Sequence, residues 1–149
     1  MKIYLARPIT GCSYDEVASY YEETRDILQD MGYEVLFAMC GKSYFKNEQN
    51  FEATGYKQPL STDHAIYQRD KWMTHQCDIL LVNLIGCQKT SIGTCFEMGW
   101  ASELGKYVVL VMEDDNIHNH SFVNESASVI YNNFQDALDY LAKLSKMDI

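Results

Sequence analysis

Glu97 is the only charged residue between Ser91 and Ala101, and it lies just downstream of the apolar run Ile79-Leu80-Leu81-Val82-Asn83-Leu84. A carboxylate on a helix that should be burying apolar surface is costly unless it is paired or put to use, so its position points to chemistry. Helical spacing aligns it with Gly93, Trp100, Ala101 and Leu104. The competing reading is an acid near a helix N-terminus that only complements the helix dipole. Asp70 repeats the anomaly, in register with Ile66, Met73 and Cys77 on the apolar stripe of the preceding helix. Its structural alternative is an ion pair with Arg69 or Lys71, although both point about 100° away around the helix. Two carboxyls sharing a low-dielectric site have raised and mutually split proton affinities, which leaves one as acid and the other as nucleophile. That division of labour suits glycosidic bond cleavage.

At the entry to the Glu97 helix, Lys89-Thr90-Ser91 precede Gly93 and offer hydroxyls, backbone N–H groups and a cation where the dipole favours an anion. A phosphate can sit there, with Arg7 from the loop after the first strand as a bidentate fork. The plainer readings are a serine N-cap and a solvated arginine. Other motifs fail. Gly86-Cys87-Gln88-Lys89-Thr90 has Gln88 where a P-loop needs glycine, and no cysteine stands six residues before an arginine as in a phosphatase loop. No G-x-S-x-G elbow exists. His118-Asn119-His120 lacks further ligands at suitable spacing apart from Asp114-Asp115, so it reads as a polar surface loop and no metal is assigned.

These residues need a scaffold, and 149 residues with 47% hydrophobic content fit one domain, 1–149, with one core. Short apolar runs alternate with amphipathic segments, which predicts an α/β fold: a doubly wound, flavodoxin- or Rossmann-like parallel sheet of five strands with helices on both faces. Strands are expected at Lys2–Ala6, Tyr33–Ala38, 78–84, Tyr107–Met112 and Ser128–Tyr131. Helices are expected from about Ser13 to Met31, from Ser61 or Thr62 to Gln76, over 92–105, and from Asn133 to Lys146 with Phe134, Leu138, Leu141 and Leu144 inward. Residues 40–60 show no clean period and read as a long loop or partly ordered flap. Ligands of such sheets bind at the carboxyl ends of the strands, where the loops Arg7–Ser13, Ile85–Ser91 and Glu113–Ser121 should converge.

The formal charge of -9, with no basic run, argues against nucleic acid and anionic membranes as partners. Five cysteines without a C-x-x-C pair read as reduced thiols in a cytoplasmic protein. No apolar stretch reaches the roughly 20 residues that span a bilayer, and no leader precedes the first strand.

Lys2-Ile3-Tyr4-Leu5-Ala6 with its loop, Asp70 ahead of Cys77-Asp78-Ile79-Leu80-Leu81-Val82, and above all Gly93-Thr94-Cys95-Phe96-Glu97-Met98-Gly99-Trp100-Ala101 through Gly105-Lys106 give the chain a specific likeness. It resembles the nucleoside 2-deoxyribosyltransferases and their relatives, the 2'-deoxynucleoside 5'-phosphate N-hydrolases. The resemblance implies that Glu97 is the nucleophile on the sugar C1', that Asp70 interacts with and protonates the departing base, and that Tyr4 orients Glu97 by a hydrogen bond. It implies substrate contacts from Arg7, Ile9, Ser91, Gly93 and Ser121, the last across a subunit interface of a homo-oligomer, a dimer or larger. Ser91 stands where the transferases usually carry an aspartate, whereas the phosphate-recognising hydrolases have a serine. Residues 40–60 are longer than those hydrolases need, and Arg7-Pro8-Ile9-Thr10-Gly11 lacks their usual glycine before the serine.

The expected activity is cleavage of the N-glycosidic bond of a small-molecule nucleoside, or of its 5'-monophosphate, without a cofactor. Water as acceptor gives hydrolysis, and a second base gives transfer. True deoxyribosyl transfer between free nucleosides, a flavodoxin-like electron carrier and a catalytically silent nucleotide sensor remain as alternatives.

Overall fold

A computed structural model describes residues 1–147. Five strands, β1 (Lys2–Ala6), β2 (Glu34–Phe37), β3 (Ile79–Asn83), β4 (Tyr107–Val111) and β5 (Val129–Tyr131), form an all-parallel sheet in the order β2-β1-β3-β4-β5. Helices α1 (Tyr14–Asp30), α2 (Asp63–Gln76), α3 (Ile92–Glu103), α4 (Ser121–Ser126) and α5 (Phe134–Leu144) connect and cover the strands. Because the order reverses at β1, the strand ends of β1 and β3 diverge into a crevice, which is where a sheet of this topology leaves room for a ligand.

Period-two alternation divides the core in two. Ile3 and Leu5, Ile79 and Leu81, and Val109 and Val111 face α1 and α5, where Val17, Tyr21, Leu28, Ala137, Leu138 and Leu141 are buried. Tyr4, Leu80, Val82, Val108 and Leu110 face the other way, onto Met73 of α2, Met98 and Ala101 of α3 and Val123 of α4. Tyr4 therefore points to the α2/α3 face, the side on which both acids are carried. The three central strands, covered on both faces, read as continuous apolar runs for this reason.

Local signals set the helix ends. Ser13 caps α1 in a reciprocal box with Glu16, and Thr62 caps α2 by accepting from the Ala65 N–H. Gly32 and Gly105 follow α1 and α3 at φ +92 and +67, and each closes its helix by paired backbone hydrogen bonds to the last turn.

Some expectations need correction. Helix α4 lies where the sequence reads as loop, since a six-residue helix burying one side chain, Val123, has too few turns to show a period. Leu104, placed on the Glu97 stripe by spacing, is 40% exposed because α3 stops before it. Phe134 and Leu144 are only partly buried, and Ala137 joins Leu138 and Leu141 inside. Residues 40–60 are an anchored loop with one 3-10 turn at Ser43–Phe45. Phe45 and Phe51 are buried against each other and Tyr56, and Phe51 exchanges backbone hydrogen bonds with Gly11 and Cys12.

Candidate active site

Glu97 is 6% exposed, one full turn into α3, with Thr94, Met98 and Ala101 buried beside it. Ser91 caps this helix, its Oγ accepting from the Thr94 N–H, so the register that turns Glu97 inward is set one turn earlier. The Tyr4 hydroxyl, in the buried middle of β1, donates to Glu97 Oε1 at 2.5 Å. Asp70 sits in the second half of α2 with one carboxyl oxygen, Oδ1, buried and without a hydrogen-bond partner among the described residues. Neither Arg69 nor Lys71 pairs with it. Arg69 Nη2 donates to the Cys40 carbonyl at 3.1 Å, and Lys71 Nζ lies 6.0 Å from the Trp100 ring centroid.

Glu97 and Asp70 line the same cavity, of about 280 Å³, between α2, α3 and the loop at Ala53 and Thr54. Its walls are apolar: Ile66, Tyr67, Phe96 and Trp100, with Tyr67 and Phe96 edge-on to Trp100. Gly93 completes the wall, and a Cβ there would meet nothing within 4 Å.

Low-dielectric surroundings favour neutral carboxyls. Burial, then the Asp70 charge, push Glu97 from 4.5 up to about 8, against the Tyr4 hydrogen bond. Burial also raises Asp70 from 3.8 to about 6, opposed by the charges of Lys42 and Arg69. Burial and their mutual repulsion thus favour one shared proton over two charges on the pair. Burial, and then the Glu97 charge, raise the Tyr4 hydroxyl well above 10.0, so it keeps its proton and acts only as a donor to the acid.

Of the expected site residues, Asp70, Gly93 and Glu97 line the cavity and Tyr4 supports it from beneath. Arg7 stacks on the Tyr20 ring, 4.7 Å from its centroid, and its Nε donates to the Pro8 carbonyl; it has no ion pair among the described residues. Ile9 packs against the core on the α1 face. Ser91 is occupied in capping, and Ser121 is an exposed residue opening α4. The loops after β3 and β4 converge: Gly86 N–H donates to Glu113 Oε1 at 2.6 Å and Asn116 Nδ2 to the Leu84 carbonyl at 2.7 Å. The loop after β1 is joined to residues 48–51, and its Arg7 and Cys12 also lie near Cys87 of the loop after β3.

Two groups of residues escaped the sequence reading. His118 is not on a surface loop: it is 2% exposed, its Nε2 accepts the Ser91 N–H at 2.8 Å, and its Nδ1 meets Asn116 Oδ1 at 3.0 Å. Nothing local distinguishes it from exposed His120, because its burial comes from α3, far off in sequence. Lys42 is 4% exposed, in a loop whose composition reads as polar. Among the described residues, no group of three or more His, Cys, Asp or Glu side chains could hold a metal ion, and no helix is long and apolar enough to cross a membrane.

Comparison with known proteins adds the family. No curated protein matches the chain. Among solved structures it is similar to the 2-deoxyribosyltransferase of Bacillus psychrosaccharolyticus, with 20% identity, TM-score 0.66 and coverage of 94% of this chain and 92% of that one. The 2-deoxyribosyltransferase of Leishmania mexicana gives 18%, 0.67, 95% and 97%. The CMP N-glycosidase of Clostridium botulinum gives 19%, 0.56, 97% and 97%. At such identities these likenesses establish the fold. The family model for nucleoside 2-deoxyribosyltransferase, however, matches residues 3–138, nearly the whole sequence. The chain therefore belongs to the nucleoside 2-deoxyribosyltransferase family and is an enzyme of that type.

Proposed function

We propose that the enzyme cleaves the N-glycosidic bond of a nucleoside 5'-monophosphate through a covalent sugar ester on Glu97. The observation that carries this reading is the placement of Asp70 and Glu97 on one apolar-walled cavity, with Tyr4 donating to Glu97 from the sheet. In the productive complex the single proton of the pair passes to the Asp70 side, and Glu97 becomes the anion. Its free oxygen bonds to C1' as the C1'–N bond breaks, and the electron pair and the Asp70 proton leave with the base. Water then adds at C1', Glu97 departs as carboxylate, and Asp70 recovers a proton from that water. A second base in place of water gives transfer on the same residues.

The preference for a monophosphate is supported by a helix N-terminus entered through Lys89-Thr90-Ser91, by Arg7, which has no acid partner among the described residues, and by the similarity to a CMP N-glycosidase. Ser91 would then exchange its capping bonds for phosphate contacts. The direct test is incubation with a panel of nucleosides, deoxynucleosides and their monophosphates, with chromatography of the freed base. Release from monophosphates that Glu97→Ala abolishes is expected. Release from free nucleosides alone would remove the phosphate preference, and unchanged turnover by Glu97→Ala would remove the nucleophile. Ser91→Asp should weaken monophosphates far more than nucleosides; an equal loss for both would place the phosphate elsewhere.

A further inference from the structure

Asp63, Ile66, Tyr67 and Asp70 stand at i, i+3, i+4 and i+7 of α2 and form one wall of the cavity that Glu97 lines from α3. Asp63 is thus a third acid on this cavity, and the reaction proposed above does not use it. In the first turn of α2 it complements the helix dipole. Its Oδ1 accepts the Gly55 N–H at 3.1 Å, which fixes the carboxylate beside the loop at Ala53 and Thr54. That hydrogen bond occupies one oxygen. The other has no ion pair or hydrogen bond among the described residues. Asp70, two turns further on, has its Oδ1 buried and likewise unpartnered. Seven residues of α-helix rise about 10 Å, so the two acids share a face at the distance spanned by one six-membered ring with a hydrogen bond of about 3 Å at either edge.

The rest of the cavity fits a flat heterocycle. Tyr67 is 43% and Phe96 52% exposed, and aromatic surface left uncovered beside acids suits the face of a base. Among the described residues, no Asn, Gln, Lys, Arg or His side chain lines the cavity. Its side-chain donors are the Thr54 and Tyr67 hydroxyls and the Trp100 indole, and its charged groups are all acids.

We infer that Asp63 determines which base is taken: its free oxygen accepts from an exocyclic amino group, so the cavity selects cytosine and adenine over their oxo counterparts, uracil and hypoxanthine. The inference rests on the function proposed above and names its substrate class. With the proton-accepting atom of the base at Asp70, the far edge of the six-membered ring reaches Asp63. An amino group there donates to the carboxylate. The carbonyl of an oxo base turns its lone pairs against an anion, and its ring N–H lies one atom nearer Asp70. A polar contact matched in one base and opposed in the other discriminates more strongly than fit alone.

In base release, kcat/KM should favour the cytosine over the uracil nucleotide, and the adenine over the hypoxanthine one, by about 10- to 100-fold. Asp63→Asn keeps an oxygen for the Gly55 N–H and turns an amide N–H toward the base, so both preferences should reverse. An aspartate serving only Gly55 and the helix dipole would, when replaced, lower all four substrates alike and leave the ratios in place. Equal or inverted ratios in the parent overturn the inference, as do unmoved ratios in Asp63→Asn. If that variant fails to fold, Asp63→Ser, whose hydroxyl both donates and accepts, should level the ratios, and unmoved ratios there overturn the inference equally. Binding of the four free bases, followed by quenching of tryptophan fluorescence, separates this inference from the reading it rests on. A protein that releases no base, yet binds cytosine and adenine more tightly with the order reversed in Asp63→Asn, keeps Asp63 as the base selector and overturns the glycosidase reading. One that releases no base and binds all four alike overturns both.

Discussion

The hydroxyl of Tyr4 lies 2.5 Å from Oε1 of Glu97, joining residues 93 positions apart in sequence across the junction of β1 and α3. Both are buried, so the donor meets the acid in a medium where a hydrogen bond to an ion is strong and a missing one is costly. This bond is the one contact among those acting on Glu97 that favours the anion, the form the proposed attack requires; burial and the charge of Asp70 both oppose it.

Tyr4→Phe keeps the ring and its packing and deletes the donor. Loss of a hydrogen bond to a charged group, worth about 1.5–3 kcal/mol, should lower kcat by roughly 10- to 100-fold. Steady-state kinetics with an unfolding curve checks this; an unchanged kcat in the folded variant would show that the bond does not serve the reaction.

Glu97→Gln should release no base and should also change how stability varies with pH. The folded carboxyl titrates at about 8 against an ordinary 4.5, so the native state binds more protons in that window. Its contribution is fully present below the ordinary value and is lost as pH rises through about 8. The variant carries no such proton. Its Tm should therefore exceed that of the parent at pH 9 by a margin that shrinks at pH 5, and an equal gap at both pH values would contradict the burial of an ionisable group.

Gly93→Ala separates binding from folding. The added Cβ meets no protein atom within 4 Å, and alanine is the better helix former by up to about 1 kcal/mol. Because Gly93 lines the cavity, the methyl group should raise KM while leaving Tm equal or higher. A KM that does not move would place the substrate away from the first turn of α3.

His118→Leu removes the acceptor for the Ser91 N–H and should destabilise the protein by about 1–3 kcal/mol. Burial lowers the imidazole below its ordinary 6.5, so the unfolded chain binds the proton more readily. The stability it supports is present above 6.5 and falls as pH drops below that value. Urea unfolding at pH 7.5 and 5.5 should show an acid-side loss in the parent that is reduced in the variant; identical pH dependence would deny the role of the buried ring.

Strand β1, the β3 run, the start of α1 near Ser13, a cap at Ser61 or Thr62 and the serine N-cap at Ser91 were legible in sequence because their causes are local: period, capping hydroxyls and terminal glycines. Glu97 and Asp70 were legible because a charge on an apolar stripe contradicts the local pattern, and such a contradiction survives without coordinates. That one cavity receives both acids was decided by the tertiary structure, through the reversal of strand order at β1 and the packing of α2 beside α3. The same holds for His118 and Lys42. Each is a polar residue in an irregular segment, where no periodicity marks an inward face, and each is buried by elements distant along the chain. Burial of a loop side chain is a property of long-range packing, whereas helix and strand faces are written in short-range spacing.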